Sequence, residues 1–188
     1  MFYTKKGDDG KTQIFGCNQK LSKSSKVAEA LGALDEINSF LGIFRAKLAN
    51  QSLISDLKKG QTLVYEKIIL EIQNNLFVIQ AEVAGADKKI SNKEIKKMEE
   101  LMIKIEKEIP PIKSFIISGS CEISAMFDFV RTVARRAERR TIAVNEENLI
   151  KIDKNTLIYL NRLSSLLYAL ARLSSTESGL KENSPKYS

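Results

Sequence analysis

Residues 24–48 read SSKVAEALGALDEINSFLGIFRAKL, and their spacing decides the fold. Val27, Leu31, Leu34, Asn38, Leu41, Phe44 and Leu48 return every three or four positions, which draws one face of a long helix. A second stripe, Ala28, Gly32, Asp35, Ser39, Gly42 and Ala46, runs along the same helix. Small side chains let another helix approach closely, and a lone carboxylate among them is then partly buried and needs a partner. Asp35 stands out on that ground.

The same period recurs downstream. Residues 50–60 are polar and end at Gly60, and Leu63 to Ala84 then repeats the pattern through Ile68, Ile72, Leu76, Ile79 and Val83. Ser91 with Glu94 three residues on is a capping-box signature that opens a third, highly charged helix, and Pro110-Pro111 stops it. A short β-like segment, Phe115 to Ser120, leads into a fourth helix over 122–144, and a fifth covers 156–173. The first 23 residues, punctuated by Gly7, Gly10 and Gly16, carry no helical period and form an extended loop. The stretch from Ser174 to Ser188 is polar and aperiodic, a tail expected to be mobile or ordered only by a ligand. With no βαβ alternation and no internal repeat, the expected fold is all-α: a five-helix bundle forming a single domain over 1–188.

Composition narrows the chemistry. Hydrophobic residues at 43% and charged residues at 28% are ordinary for a globular chain, and no apolar run nears the ~18 residues of a membrane span, so no membrane role is expected. The opening Met1-Phe2-Tyr3-Thr4-Lys5-Lys6 lacks the apolar core of a secretory signal, so a cytoplasmic location is expected. Cys17 and Cys121 fit neither a zinc spacing nor a redox pair. Histidine is absent, which removes Ser-His and Cys-His nucleophile systems and the commonest neutral metal ligand. Carboxylates, cations, backbone amides or a bound cofactor must therefore carry any chemistry. A net charge of +7 fits either scattered solubilising lysines, most of which fall on polar helix faces, or a cationic surface for a polyanion.

Three groups could act. Thr4 to Thr12 combines glycine, lysine and hydroxyl groups, the materials of a phosphate cradle. It fails the P-loop pattern because Lys5 stands where a glycine is required, and it fails as an EF-hand, so an ordinary turn remains open. On the fourth helix Arg131, Arg135, Glu138 and Ile142 share a face, while Val130, Val133, Ala134 and Ala137 tie it to the core. The arginines suit an anion that Glu138 helps to organise; the alternative is a set of surface ion pairs worth a few tenths of a kcal/mol each. More cation stands there than Glu138 balances, since Arg136, Arg139 and Arg140 crowd the same turns, which favours an anion. On the fifth helix Asn161 lies among leucines, with Ser165, Tyr168 and Arg172 along its face, and reads either as a packing-register device or as an amide offered to a base or ribose.

Taken together, Tyr3 to Gly10, Lys23 to Ser39 with Leu34-Asp35-Glu36, Arg131 to Arg139 and Asn161-Arg162-Leu163-Ser164 resemble PduO-like cobalamin adenosyltransferases, over nearly the whole chain. The resemblance implies five-helix bundles associated in threes, with each site between adjacent subunits, that transfer the 5'-deoxyadenosyl group of ATP to the cobalt of cob(I)alamin or a related corrinoid. It implies an ATP set of Thr4, Lys5, Lys6, Gly7, Thr12, Gln13, Lys23, Arg135, Arg136, Ala137, Glu138, Arg139 and Asn161, with Mg²⁺ carried by the triphosphate rather than by protein ligands. It implies an Asp35–Arg131 ion pair beside the corrin and Phe115 beneath the cobalt, so that Arg135, Phe115, Asp35 and Arg131 serve the reaction. A reductase and a cobalamin-dependent acceptor enzyme would be partners, and nucleic acid would not. Two positions depart from the family pattern: Ser165 stands where an aspartate is common, and Ser118-Gly119-Ser120 where Pro-Gly-Gly is common. The rival readings are a basic helical nucleic-acid-binding protein using the fourth helix, and a purely structural bundle.

Overall fold

The computed structural model describes residues 3, 5–13, 20–49, 59–148 and 150–187, with no side chains described for 59–63, so Thr4, Gly16 and Cys17 lie outside it. A small hairpin, β1 (Lys11–Gln13) and β2 (Lys20–Ser22), precedes α1 (Lys26–Ala49), α2 (Lys59–Val83), α3 (Asn92–Glu108), α4 (Glu122–Glu146) and α5 (Lys154–Glu177). α4 lies between α5 and α1; α1 also packs on α2, and α3 on α5.

The first stripe of α1 is buried at Val27, Leu34, Asn38, Leu41, Phe44 and Leu48. Phe44 meets Phe127 of α4 edge-on at 4.6 Å, and Tyr65 of α2 tilts onto the same ring at 5.5 Å, so three helices join around one aromatic knot. Each such side chain contributes about 1.5–3 kcal/mol by leaving water. α3 buries only Ile95, Met98 and Ile105, in keeping with its charge. Its capping box is present: Ser91 Oγ accepts from Lys93 N, and the Glu94 carboxylate accepts from Ser91 N at 3.1 Å. Glu82 of α2, 3% exposed, accepts from Asp153 N at 2.6 Å and Thr156 Oγ1 at 2.5 Å, which fixes the end of α2 to the start of α5.

Three features differ from the sequence expectation. Part of the N-terminal loop pairs as the antiparallel hairpin, Thr12 opposite Leu21. α5 continues to Glu177 rather than ending at Leu173, because Ser174 and Ser175 are buried and their hydroxyls bond back to Ala171 O at 2.9 and 3.0 Å. Beyond it the tail is docked: Ile117 N donates to Asn183 O at 2.8 Å, the Ser114 and Ser184 hydroxyls meet at 2.7 Å, and Glu182 Oε1 lies 3.0 Å from Arg172 Nη1.

Candidate functional site

The N-terminal turn is built around Gly7 and Gly10. Gly10 takes φ +74°, which a side chain disfavours, and its N–H bonds Gly7 O at 3.3 Å. A Cβ on Gly7 would meet Lys23 Nζ at 3.0 Å and Lys11 O at 3.2 Å, so a larger residue fits only if the Lys23 ammonium and the turn give way by a few tenths of an ångström. Lys5 holds φ 60°, a strained conformation for a lysine and one that clusters at ligand clamps. Lys23 closes the turn, its N–H reaching Gly10 O at 3.0 Å and its ammonium Gly7 O at 2.7 Å. Asp9 accepts from Lys11 N at 3.0 Å, and that bond, ahead of Lys20, holds its carboxyl below the ordinary value.

This turn and the hairpin enclose a cleft of about 620 Å³ lined by Lys6, Lys11, Lys20 and Lys23 with Gly7, Thr12 and Gln13. Four ammonium groups against the one nearby Asp9–Lys20 contact at 3.4 Å leave the cleft strongly positive, as a polyphosphate requires.

The second cationic group sits on the flank of α4. Arg131 lies 5.9 Å from the Tyr168 ring of α5 and Asp128 bonds Arg172, while Ser120 meets Ser175; the helices therefore run antiparallel in step. That register brings Arg135 level with Ser165, and Glu138 and Arg139 level with Asn161. Arg135, Arg139 and Asn161 are exposed, Glu138 is half-buried, and Ala137 is buried in the core. The opposite flank faces α1: Arg136 pairs with Glu36, and Arg140 with Glu29 at 2.6 Å. Arg136, expected in the ATP set, is thus engaged within the chain, although with both partners about 40% exposed the pair contributes at most about 1 kcal/mol.

Among the described residues, no residue of α4 or α5 lines the lysine cleft. One chain therefore presents the two halves of the expected ATP set on separate surfaces.

Phe115 is 78% exposed and lines a cavity of about 540 Å³ with Tyr168 and with Tyr187 of the tail. Gly119 takes φ +100° in the turn that follows, and Ser120 Oγ meets Ser175 Oγ at 2.5 Å, so the serine-containing turn is tied to α5.

Asp35 departs from expectation: it is exposed on α1, as are Gly32, Ser39 and Ala46 of its stripe, because no helix among the described residues covers that face. Arg131 lies on the α5 flank of α4, and its carboxylate neighbour in the chain is Asp128, Nε to Oδ1 3.7 Å. Sequence reasoning missed Asp128 and Glu182. Asp128 had a signal, an acid between Phe127 and Phe129 one turn before Arg131; Glu182, in an aperiodic tail, had none. Arg172, read as a continuation of the Asn161 face, is instead 2% exposed.

Residues 2–174 match the family model described as cobalamin adenosyltransferase. The chain is 34% identical over 177 residues to the corrinoid adenosyltransferase PduO of Salmonella typhimurium, covering 90% of this chain and 48% of that protein. It is 33% identical over 182 residues to the corrinoid adenosyltransferase of Bacillus subtilis, covering 95% and 88% respectively. A variant PduO-type ATP:corrinoid adenosyltransferase from Lactobacillus reuteri, solved with cobalamin and ATP, superposes with a TM-score of 0.86 at 29% identity over 100% of both chains. A model matched across almost the whole length, together with a shared helical architecture, makes this chain a member of the cobalamin adenosyltransferase family.

Proposed function

We infer that this chain transfers the 5'-deoxyadenosyl group of ATP to the cobalt of a reduced corrinoid, and that it does so in sites shared between subunits of a homotrimer. The observation that carries the reading is the split set: a lysine cleft in the N-terminal turn, and an exposed Arg135, Arg139 and Asn161 on α4 and α5 that do not reach it within one chain. A triphosphate set between one chain's cleft and its neighbour's helix would engage both. The uncovered Asp35 stripe on α1 supports the same assembly, since Gly32 has open space around it and Ile43 and Phe129 nearby are half or more exposed. Asp35 of one subunit would then meet Arg131 of the next, whose carboxylate contact among the described residues is the long one to Asp128.

The chemistry suits a chain without histidine. Cob(I)alamin is itself the nucleophile: its cobalt electron pair forms the bond to C5' of ATP as the bond from C5' to the triphosphate oxygen breaks, and no proton has to be removed. The protein orients C5' over the cobalt and neutralises the leaving triphosphate with Lys5, Lys6, Lys23, Arg135 and turn amides. Mg²⁺ would sit on the phosphate oxygens, because the cleft offers lysine ammonium groups, which repel a metal ion. Phe115, with Tyr168 and Tyr187, offers an apolar wall that would keep water from the lower face of the cobalt and so ease reduction from Co(II). A cytoplasmic location, a reductase that supplies cob(I)alamin and an acceptor enzyme for the product accompany this reading. Family membership and the burial of α4 between α1 and α5 weigh against nucleic-acid binding.

Anaerobic incubation with ATP, Mg²⁺ and cob(I)alamin is expected to yield the adenosylcobalamin spectrum and an equal amount of triphosphate. A corrinoid spectrum that stays unchanged overturns the assignment.

A further inference from the structure

The docked tail meets a buried group of charges that the adenosyl-transfer scheme does not use. Asp128 on α4 is 4% exposed and Arg172 on α5 is 2% exposed; they bond at 2.5 Å, Nη2 to Oδ2, and Arg172 Nη2 also lies 3.4 Å from Ser124 Oγ. Asp128 has a second cation, Arg131 at 3.7 Å, and the two guanidinium groups lie 4.9 and 5.9 Å from the same Tyr168 ring. Asp128 divides its charge between the two arginines, and Arg172, unlike the partly exposed Arg131, is shut away from water, so an incomplete share of a counter-ion is costly there. The missing charge comes from the tail: Glu182 Oε1 lies 3.0 Å from Arg172 Nη1.

We propose that Asp128, Arg172 and Glu182 are positioning residues for Arg131, a buried relay in which docking of the C-terminal tail decides how tightly Asp128 holds the Arg131 guanidinium. With Glu182 in place, Arg172 divides its charge between two carboxylates and Asp128 Oδ1 stays available to Arg131. With Glu182 gone, Arg172 draws on Asp128 alone. The contact that yields is the weakest one, Arg131 to Asp128, because 3.7 Å is beyond hydrogen-bond length. The Arg172–Asp128 bond is directed, whereas the outer contacts are held by charge: Arg131 Nε, Arg172 Nε and Glu182 Oε1 are buried without a hydrogen-bond partner among the described residues. The Arg131 contact can therefore shift without breaking the directed bond.

The same tail segment reaches the Phe115 loop through Asn183 and Ser184. Releasing Glu182 thus loosens two edges of the corrinoid end together and leaves untouched the lysine cleft, which no described residue of α5 or of the tail lines. The inference rests on the reading of Arg131 and Phe115 as corrinoid-site residues.

The test uses the full chain and Glu182→Gln. The expected result is faster hydrogen exchange of the Ile117 amide, whose N–H bonds Asn183 O in the docked tail, a KM for cob(I)alamin raised roughly tenfold by lost positioning, and an unchanged KM for ATP. Glu182→Asp, which keeps the charge, is expected to recover most of the corrinoid KM. In the double variant with Arg131→Lys the two effects on corrinoid KM are expected to fall short of their product, since both act on one contact. Constants for ATP and corrinoid that move together, or effects of the two substitutions that multiply, overturn the relay. Wild-type protein that forms no adenosylcobalamin would overturn the functional reading instead. The latch would then be judged by Ile117 amide exchange alone: equal rates in wild type and Glu182→Gln refute it, and faster exchange in the variant supports it.

Discussion

A single exposed phenylalanine says little by itself, but Phe115, 78% exposed, fronts a cavity with two tyrosines in its wall, and that setting gives it meaning. Phe115→Ala is expected to leave ATP binding intact and to cut turnover from cob(II)alamin with a reductase by roughly tenfold or more, since the lower face of the cobalt would then admit water. Equal turnover in the two proteins, measured by adenosylcobalamin formation under anaerobic conditions, would rule out that role. The sequence drew attention to residues whose type is unusual for their place: the arginines on a helix tied to the core lie on its flanks as expected, whereas Asp35, expected to be partly buried, is exposed. Those it hid act through others: Asp128 and Glu182 matter because of Arg172, and no spacing rule connects positions 128, 172 and 182 before the chain is folded.

At the scale of elements, the periodic signal worked where burial is one-sided and failed where it is not. α1 to α4 lie close to their expected positions because each alternates core and solvent at the helical period. The hairpin escaped notice because strands of three residues, exposed at their outer positions, show no alternation to read. The last turn of α5 escaped because its serines look like loop residues until their hydroxyls are seen bonding the helix's own carbonyls. The cap of α3, by contrast, was legible in four residues, and its worth can be measured. Ser91→Ala removes the acceptor for Lys93 N and the hydroxyl that bonds Glu94, at a cost of about 1 kcal/mol. That hydroxyl, followed by the backbone amides, holds Glu94 below its ordinary value of 4.5. A carboxylate depressed on folding stabilises fully above its unfolded pKa, and the benefit is lost as pH falls through the folded one. The stability gap between wild type and Ser91→Ala, read from urea midpoints, should therefore be widest near neutrality and narrow below the unfolded value. A gap of the same size at pH 3 and pH 7 would show that the Ser91 hydroxyl gains nothing from the ionised Glu94, whose bond from Ser91 N both proteins keep.

On the scale of the whole molecule, no described residue of α4 or α5 lines the lysine cleft, and in the trimer we propose each cleft would lie against the next chain's α4 and α5. Such an arrangement makes a prediction that no single-chain site can satisfy. Lys23→Ala damages the cleft, where its ammonium ties Gly7 O, and Arg135→Ala damages the exposed helix face; each variant alone forms three defective sites and should be nearly inactive. When the two are unfolded together and refolded, a site is whole wherever a chain with an intact cleft sits before a chain with an intact helix. With equal amounts and random assembly each condition is met half the time, so activity should return to about one quarter of wild type. Mixing the folded variants without exchange should restore nothing, which separates assembly from simple addition. If refolded mixtures stay as inactive as their parents while wild type refolds to full activity, the cleft and the helix serve the same chain, and the shared-site reading fails.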